Sequence, residues 1–277
     1  MQFRRQFSRR HALGTLAVAC LGVPFLRTTR AQAPGATIHF YSPETNINNF
    51  GTLKSEFDSF FKEAGGHKFQ PYGDRAAFEK ALEAGNGLFL MSSWHYPQLA
   101  AKAEWQPSLI GQIKAKSTQR HVLCAKQPVA SIAALKGAKV VSAGNMAFIQ
   151  AMLTDLLGPA HRALLKELNV LPVPKDSDAL MTVNLGSAQA AVATEGGLDR
   201  LAKTNAKQHD ALVQLAKGPE RLLPIVVAPA KPDAAAQSLL KVLADMGADP
   251  EGQQRLRLLG LDALAPVTDA HRAELRK

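Results

Sequence analysis

The residues of this chain able to do chemistry gather just after short apolar runs. Tyr41, Ser42 and Glu44 close the run that begins at Thr37, and Ser92, Ser93, Trp94, His95 and Tyr96 follow Leu88-Phe-Leu-Met91. Ser142 and Asn145 follow Lys139-Val-Val, and Thr194 and Glu195 follow Ala190-Ala-Val-Ala. Trp and Tyr join a large apolar face to a hydrogen-bond donor, and Ser, Thr and Asn both donate and accept. Such a set suits non-covalent capture of a small polar molecule. A cleft holding both Glu44 and Glu195 would disfavour a dianion and favour a neutral, zwitterionic or cationic ligand. Two plainer readings stay open: Trp94 and Tyr96 also suit packing under a following helix, and carboxylates in such loops commonly face solvent.

Catalytic and metal chemistry find less support. There is no Gly-x-Ser-x-Gly elbow and no Gly-rich phosphate loop, and Cys124 lies in an apolar run where a thiol is inert packing. The histidines never stand at His-x-x-x-His spacing, and Met91 with His95 is the one close soft-ligand pair. The expectation is a protein that is not an enzyme and carries neither cofactor nor metal.

Residues 1–33 read as an export signal: a basic head with Arg9-Arg10, an apolar run from Ala12 to Leu26, and a cleavage site at Ala31-Gln-Ala33. The run falls short of the roughly 20 residues that span a bilayer. The arginine pair after Ser8, the Gly and Pro within the run, and Arg27 and Arg30 suit the twin-arginine route. The general route and a lipid on Cys20 are the alternatives. The expected location is the periplasm, with a mature chain starting at Pro34.

The leader also distorts the charge. The whole chain is formally +10, but six of its 33 basic residues and none of its 23 acids precede Pro34, leaving a net +4. That is no argument for a nucleic-acid partner, and no basic cluster interleaved with aromatics appears. Only Cys124 remains after cleavage, so stability must come from core burial, for which about 244 residues suffice.

The elements that must position the site alternate along the chain. A strand at Thr37–Tyr41 precedes a helix over 50–64 with Leu53, Phe57, Phe60 and Phe61 on one face, ended by Gly65-Gly66. Asp74 is expected to cap a helix through Leu82, before a strand at Leu88–Met91. Further on come a strand at 139–142, a helix over 147–157 stopped by Gly158-Pro159, and a strand at 169–173. A stretch capped by Ser177 or Asp178 and a strand at 190–194 complete that series. This order predicts parallel sheets covered by helices, in two α/β lobes. Extended runs at 119–125 and 221–228 are expected to cross between lobes. Residues 34–120 with 223–277 then form one lobe and 121–222 the other, the helices of 234–259 returning to the first.

Three phrases carry a resemblance: Ile132-Ala-Ala-Leu-Lys-Gly-Ala-Lys-Val-Val141, Gly186-Ser-Ala-Gln-Ala-Ala-Val192 and Leu259-Gly-Leu-Asp-Ala-Leu-Ala-Pro-Val267. With them the chain resembles a periplasmic solute-binding protein of the phosphate/phosphite/phosphonate type, the binding component of an ABC importer. The resemblance implies a two-lobed type II periplasmic binding protein fold, each lobe a mostly parallel sheet, with two crossover strands as hinge. It also implies a small-molecule ligand, an importer permease as partner, and a monomer. Phosphonate binders of this family carry a Ser/Thr cluster that holds the oxyanion at a second-lobe helix start. Here that stretch reads Ser142-Ala-Gly-Asn-Met-Ala147, and Gln189 stands where the family has an acid, so weak phosphonate binding is expected. The other functional classes kept open are a transporter-independent periplasmic sensor or delivery protein and an exported enzyme on the same fold.

Overall fold

The computed structural model describes residues 35–44, 49–99 and 105–277. The expected export signal and the expected start at Pro34 lie outside them. The chain opens with β1 (Thr37–Tyr41), α1 (Phe50–Glu63), β2 (Lys68–Pro71), α2 (Arg75–Glu83), β3 (Leu88–Met91), α3 (Tyr96–Leu99) and β4 (Trp105–Gln112). Next come β5 (Thr118–Lys126), β6 (Lys139–Ala143), α4 (Met146–His161), β7 (Asn169–Val173) and α5 (Asp176–Asn184). They are followed by β8 (Ala190–Thr194), α6 (Glu195–Thr204), α7 (Ala206–Asp210) and β9 (Leu212–Leu222). The return is β10 (Ile225–Pro229), α8 (Ala234–Asp245), α9 (Pro250–Leu258), β11 (Ala263–Pro266) and α10 (Asp269–Glu274).

Local chemistry accounts for the helix limits. In α1 the i, i+4, i+8 residues Leu53, Phe57 and Phe61 form the buried face, and Asn49 accepts from the Thr52 amide at 3.1 Å. Gly65 and Gly66 take φ of 128° and 73°, a region that side chains avoid, and the helix ends there. Asp74 caps α2 as expected, accepting from the Ala77 amide at 2.8 Å. At Gly158 α4 breaks with φ 65°, then adds a short turn through Pro159 to His161. Ser177 and Asp178 do not cap α5. Both lie in its first turn, after Lys175 as cap residue, while the preceding acid Asp176 bonds to Thr194.

Two sheets result, in strand orders β11-β4-β10-β3-β1-β2 and β7-β6-β8-β5-β9. The parallel order expected holds at β2-β1-β3 and β7-β6-β8. The remaining pairings, through β10, β4 and β11 and through β5 and β9, are antiparallel, so both sheets are mixed. The added strands come from the crossing segments and the C-terminal return, which run opposite to the βα series. The crossover from the first sheet lies between Gln112 and Thr118, ahead of the expected residue 120, because residues from Thr118 already pair with β9. The Leu223 amide donates to Ser117 O at 2.9 Å, tying the outgoing and returning segments together.

Each sheet is buried on both faces. Phe57, Phe61 and Phe69 pack one face of the first sheet with Leu239, Leu243 and Leu256 of α8 and α9; Phe78, Phe89 and Met91 fill the other. In the second sheet Leu123, Val140 and Val192 face α4 residues Ile149 and Leu153, while Val141, Ala191 and Ala193 face Leu180 and Val183 of α5. Burial of each such large side chain contributes about 1.5–3 kcal/mol.

Candidate functional site

The carboxyl ends of β1 and β3 in one lobe meet those of β6 and β8 in the other. Ligands of open α/β sheets bind outside such ends. The meeting is direct. The Asn145 amide donates to Pro43 O at 2.8 Å, and Asn145 Nδ2 donates to the Tyr41 hydroxyl at 2.9 Å. A Cβ on Gly144 would lie 2.7 Å from Pro43 O, so glycine is what permits this approach. Trp94 meets Phe148 of α4 edge to face, ring centroids 5.7 Å apart at 81°. Asn145 Oδ1 also accepts from the Phe148 amide at 3.0 Å and so caps α4.

Glu44 sits at the centre of this meeting. Its carboxylate accepts from the Ser92 hydroxyl and, across the lobes, from Gln119 Nε2 at 3.2 Å. Burial raises the Glu44 pKa above the ordinary carboxylate value, opposed by the Ser92 hydrogen bond, the Arg221 charge and the Gln119 hydrogen bond. Ser42 accepts from the Glu44 amide at 3.2 Å and holds the loop in a tight turn. The Ser93 hydroxyl donates to Leu222 O and fastens this loop to the returning chain.

The second lobe supplies a polar strip. Thr194 donates its hydroxyl to Asp176 at 2.6 Å and caps α6 by accepting from the Gly197 amide at 3.0 Å. His121 is the ladder partner of Thr194, and Gln119 that of Arg221. His121 packs edge-on against Phe148, and burial lowers its pKa, with Asp176 raising it and Arg221 lowering it further.

Tyr41, Ser42, Glu44, Ser93, Trp94, Asn145 and Thr194 are therefore gathered at or beside the meeting of the lobes. His95, Tyr96, Ser142 and Glu195 are not. His95 is fully buried within the first lobe, its Nε2 spent on Glu79 of α2 at 3.0 Å and its ring edge-on to Tyr41. Tyr96 points its hydroxyl at Trp105 O, 3.1 Å away. The short helix α3 turns both side chains into the lobe. Ser142 is buried and donates to the neighbouring Ala143 carbonyl, and Glu195 pairs with Lys217 at 2.5 Å and Arg120 at 3.9 Å. Only one of the two expected carboxylates thus remains in the cleft.

Gln119, His121, Phe148, Asp176 and Arg221 are the residues that sequence reasoning did not name. Arg221 brings a positive charge that acts on both Glu44 and His121. One signal for these residues was the polar residues interleaved in the run at 119–125. Reading that run only as a crossing strand hid it. Among the described residues no group of three or more His, Cys, Asp or Glu is placed to hold a metal. Burial pushes the Cys124 thiol up to about 12, leaving it a neutral packing group beside Ala191 O.

Two lobes, each an α/β sheet, closing on a polar and aromatic cleft define a periplasmic solute-binding protein. The chain belongs to the family described as the periplasmic substrate-binding protein of phosphonate ABC transporters, whose model matches residues 59–271. Solved structures agree in fold. The binding-protein component of an ABC phosphonate transporter from Pseudomonas aeruginosa superposes with TM-score 0.61 at 14% identity, covering 86% of this chain and 83% of that one. PhnD1 from Prochlorococcus marinus, solved with methylphosphonate, gives 0.59 at 13% identity over 85% and 93%. The aliphatic sulphonate binding protein SsuA of Escherichia coli gives 0.51 at 14% identity over 87% and 89%. Comparison with curated protein sequences finds no match. The family captures a small ligand between two lobes and hands it to an ABC importer, a binding role and not a catalytic one.

Proposed function

We propose that this protein binds its solute in the cleft bounded by Tyr41, Glu44 and Trp94 on one side and by Asn145, Thr194 and the β5 strip on the other. The lobes move about 113–117 and 223–224. The observation that carries this reading is the Asn145 contact with Pro43 and Tyr41, which brings the strand ends of the two lobes face to face. A partly closed cleft of this kind is what a closing binding protein presents to a permease.

The ligand class follows from charge and donors. Asp155 pairs with Arg221, and Glu44 feels the charges of both Arg221 and Asp176, so a dianion entering from water would meet several carboxylates there. At the start of α4, where the family resemblance places the oxyanion, the Asn145 amide is taken by Pro43 O and the Asn145 side chain caps the helix. The chain therefore departs from phosphonate specificity toward a neutral, cationic or zwitterionic solute. Isothermal titration is the test: methylphosphonate is expected to bind weakly or not at all, and submicromolar affinity for it would overturn this reading. Native mass spectrometry of protein taken from the periplasm would show a retained solute by its mass.

The same reading holds that the protein reaches the periplasm by the twin-arginine route and works as a monomer. Arg9→Lys with Arg10→Lys is expected to leave the precursor in the cytoplasm, and N-terminal sequencing of exported protein to begin at Pro34. A mature chain retaining residues before Ala31, or a lipid on Cys20, would count against it.

A further inference from the structure

At the start of α4 the Asn145 and Phe148 amides are taken, yet two buried side-chain nitrogens elsewhere in the second lobe are left without a partner. His121 is only 9% exposed, and its Nδ1 is buried with no hydrogen-bond partner; Arg221 Nε is likewise buried and unpartnered. Both residues line one narrow recess between α4, β5 and β9, bounded also by Met152, Asp155 and Gly218. A buried polar nitrogen without a partner has lost its water without replacing it, which disfavours the empty site. Two of them on one recess are primed for an acceptor from outside. The other end of the Arg221 guanidinium already pairs with Asp155, which leaves room for one further negative charge at most.

The same sheet face carries the opposite charge nearby. Gln119 and Arg221 are directly opposed in the β5–β9 ladder, and opposed residues share a face with Cβ atoms about 5 Å apart. The Gln119 side chain ends on Glu44 at 3.2 Å. A carboxylate and a guanidinium thus flank one floor, and among the described residues neither forms a salt bridge with the other. Trp94 and Phe148 stand alongside with apolar and π surface.

We propose that the recess between α4, β5 and β9 is an acid-binding subsite, where His121 Nδ1–H and Arg221 Nε–H donate to a singly charged carboxylate-class group of a small zwitterion whose ammonium group faces Glu44. This rests on the cleft being the solute site, and it names the chemistry that the solute must carry.

Titration of the full chain with four probes tests it: alanine, β-alanine, propionate and propylamine. At least one zwitterion is expected to bind about tenfold or more tighter than either singly charged probe. Arg221→Gln is expected to weaken the zwitterion and propionate by about tenfold while affecting propylamine far less, and Glu44→Gln to show the reverse split. Arg221→Lys, which keeps the charge but loses the fork, should recover part of the loss. If Arg221→Gln does not fold, His121→Phe, which keeps a ring against Phe148, carries the same expectation. Equal weakening of all probes by Arg221→Gln, or no preference for a zwitterion, would overturn the subsite. So would failure of every probe to bind; if native mass spectrometry then finds a solute without an acid group, the subsite fails while the cleft reading stands. Absence of ligand-dependent closure with any compound would instead remove the cleft reading itself.

Discussion

At the scale of single residues, the cleft depends on two side chains and one missing Cβ. Asn145 serves three partners at once, Pro43 O, the Tyr41 hydroxyl and the Phe148 amide, so one residue both caps a helix and joins the lobes. Beside it Gly144 adopts φ 108°, and any Cβ there would press on the Pro43 carbonyl. Gly144→Ala is expected to favour the open form, because opening relieves the clash; backbone strain adds on the order of 1–3 kcal/mol. Small-angle scattering should show a larger radius of gyration with native circular dichroism, and an unchanged radius would count against the contact. Trp94→Ala should weaken solute binding by roughly ten- to hundredfold, since an aromatic anchor is worth ~1–3 kcal/mol. Because Trp94 is only partly buried, its loss should leave the melting temperature nearly unchanged. A large drop in melting temperature with affinity retained would instead assign Trp94 to packing.

At the scale of elements, Asp176 organises the second-lobe rim. Its carboxylate accepts from the Thr194 amide at 2.9 Å and the Thr194 hydroxyl at 2.6 Å, joining the start of α5 to the junction of β8 and α6. Gly197 leaves room for it, since a Cβ there would sit 2.7 Å from Asp176 Oδ2. Asp176→Ala is expected to cost about 1–3 kcal/mol, the range for charge-assisted hydrogen bonds, and Asp176→Asn less. Urea unfolding measures this, and an effect below about 0.5 kcal/mol would show the tie to be superficial. Helices and parallel strands here were legible from periodicity and caps: α1 from its Leu and Phe spacing, α2 from Asp74. The antiparallel β4 and β9 were not read as strands, because their partly exposed, polar-interleaved residues follow neither a clean alternation nor a continuous apolar run.

For the whole molecule, buried histidines set the response to acid. Burial lowers the pKa of His39, His67, His95 and His121, with Glu79 partly raising that of His95. A histidine kept neutral in the fold contributes stability that is present above its unfolded value of 6.5 and is lost as pH falls through and below it. Each costs up to about 1.4 kcal/mol per pH unit while only the unfolded chain is protonated. Glu44 acts with the opposite sign: its raised pKa favours the folded form at low pH, and that advantage is lost as pH rises above its unfolded 4.5. Melting temperatures between pH 7.5 and 5 should therefore fall, and His121→Phe should flatten the fall. A profile that is level or rises toward pH 5 would mean these groups stay accessible to protons.

The sequence by itself determined the class of fold, the order of most strands and helices, and several of the residues that stand where the two lobes meet. These follow from local rules: apolar periodicity, side-chain caps, and the tendency of sites to lie at carboxyl ends of strands. Tyr41, Glu44, Trp94, Asn145 and Thr194 were placed at those strand ends that way. Tertiary structure decided which neighbours of those residues point inward. His95 and Tyr96 stand beside Trp94 in the chain, yet α3 turns them into the lobe, and Glu195 next to Thr194 goes to Lys217. Tertiary structure also supplied Gln119, His121 and Arg221. Their role depends on ladder register between β5, β8 and β9 and on how near α4 comes, and such long-range pairings are set by the packing of two sheets against shared helices.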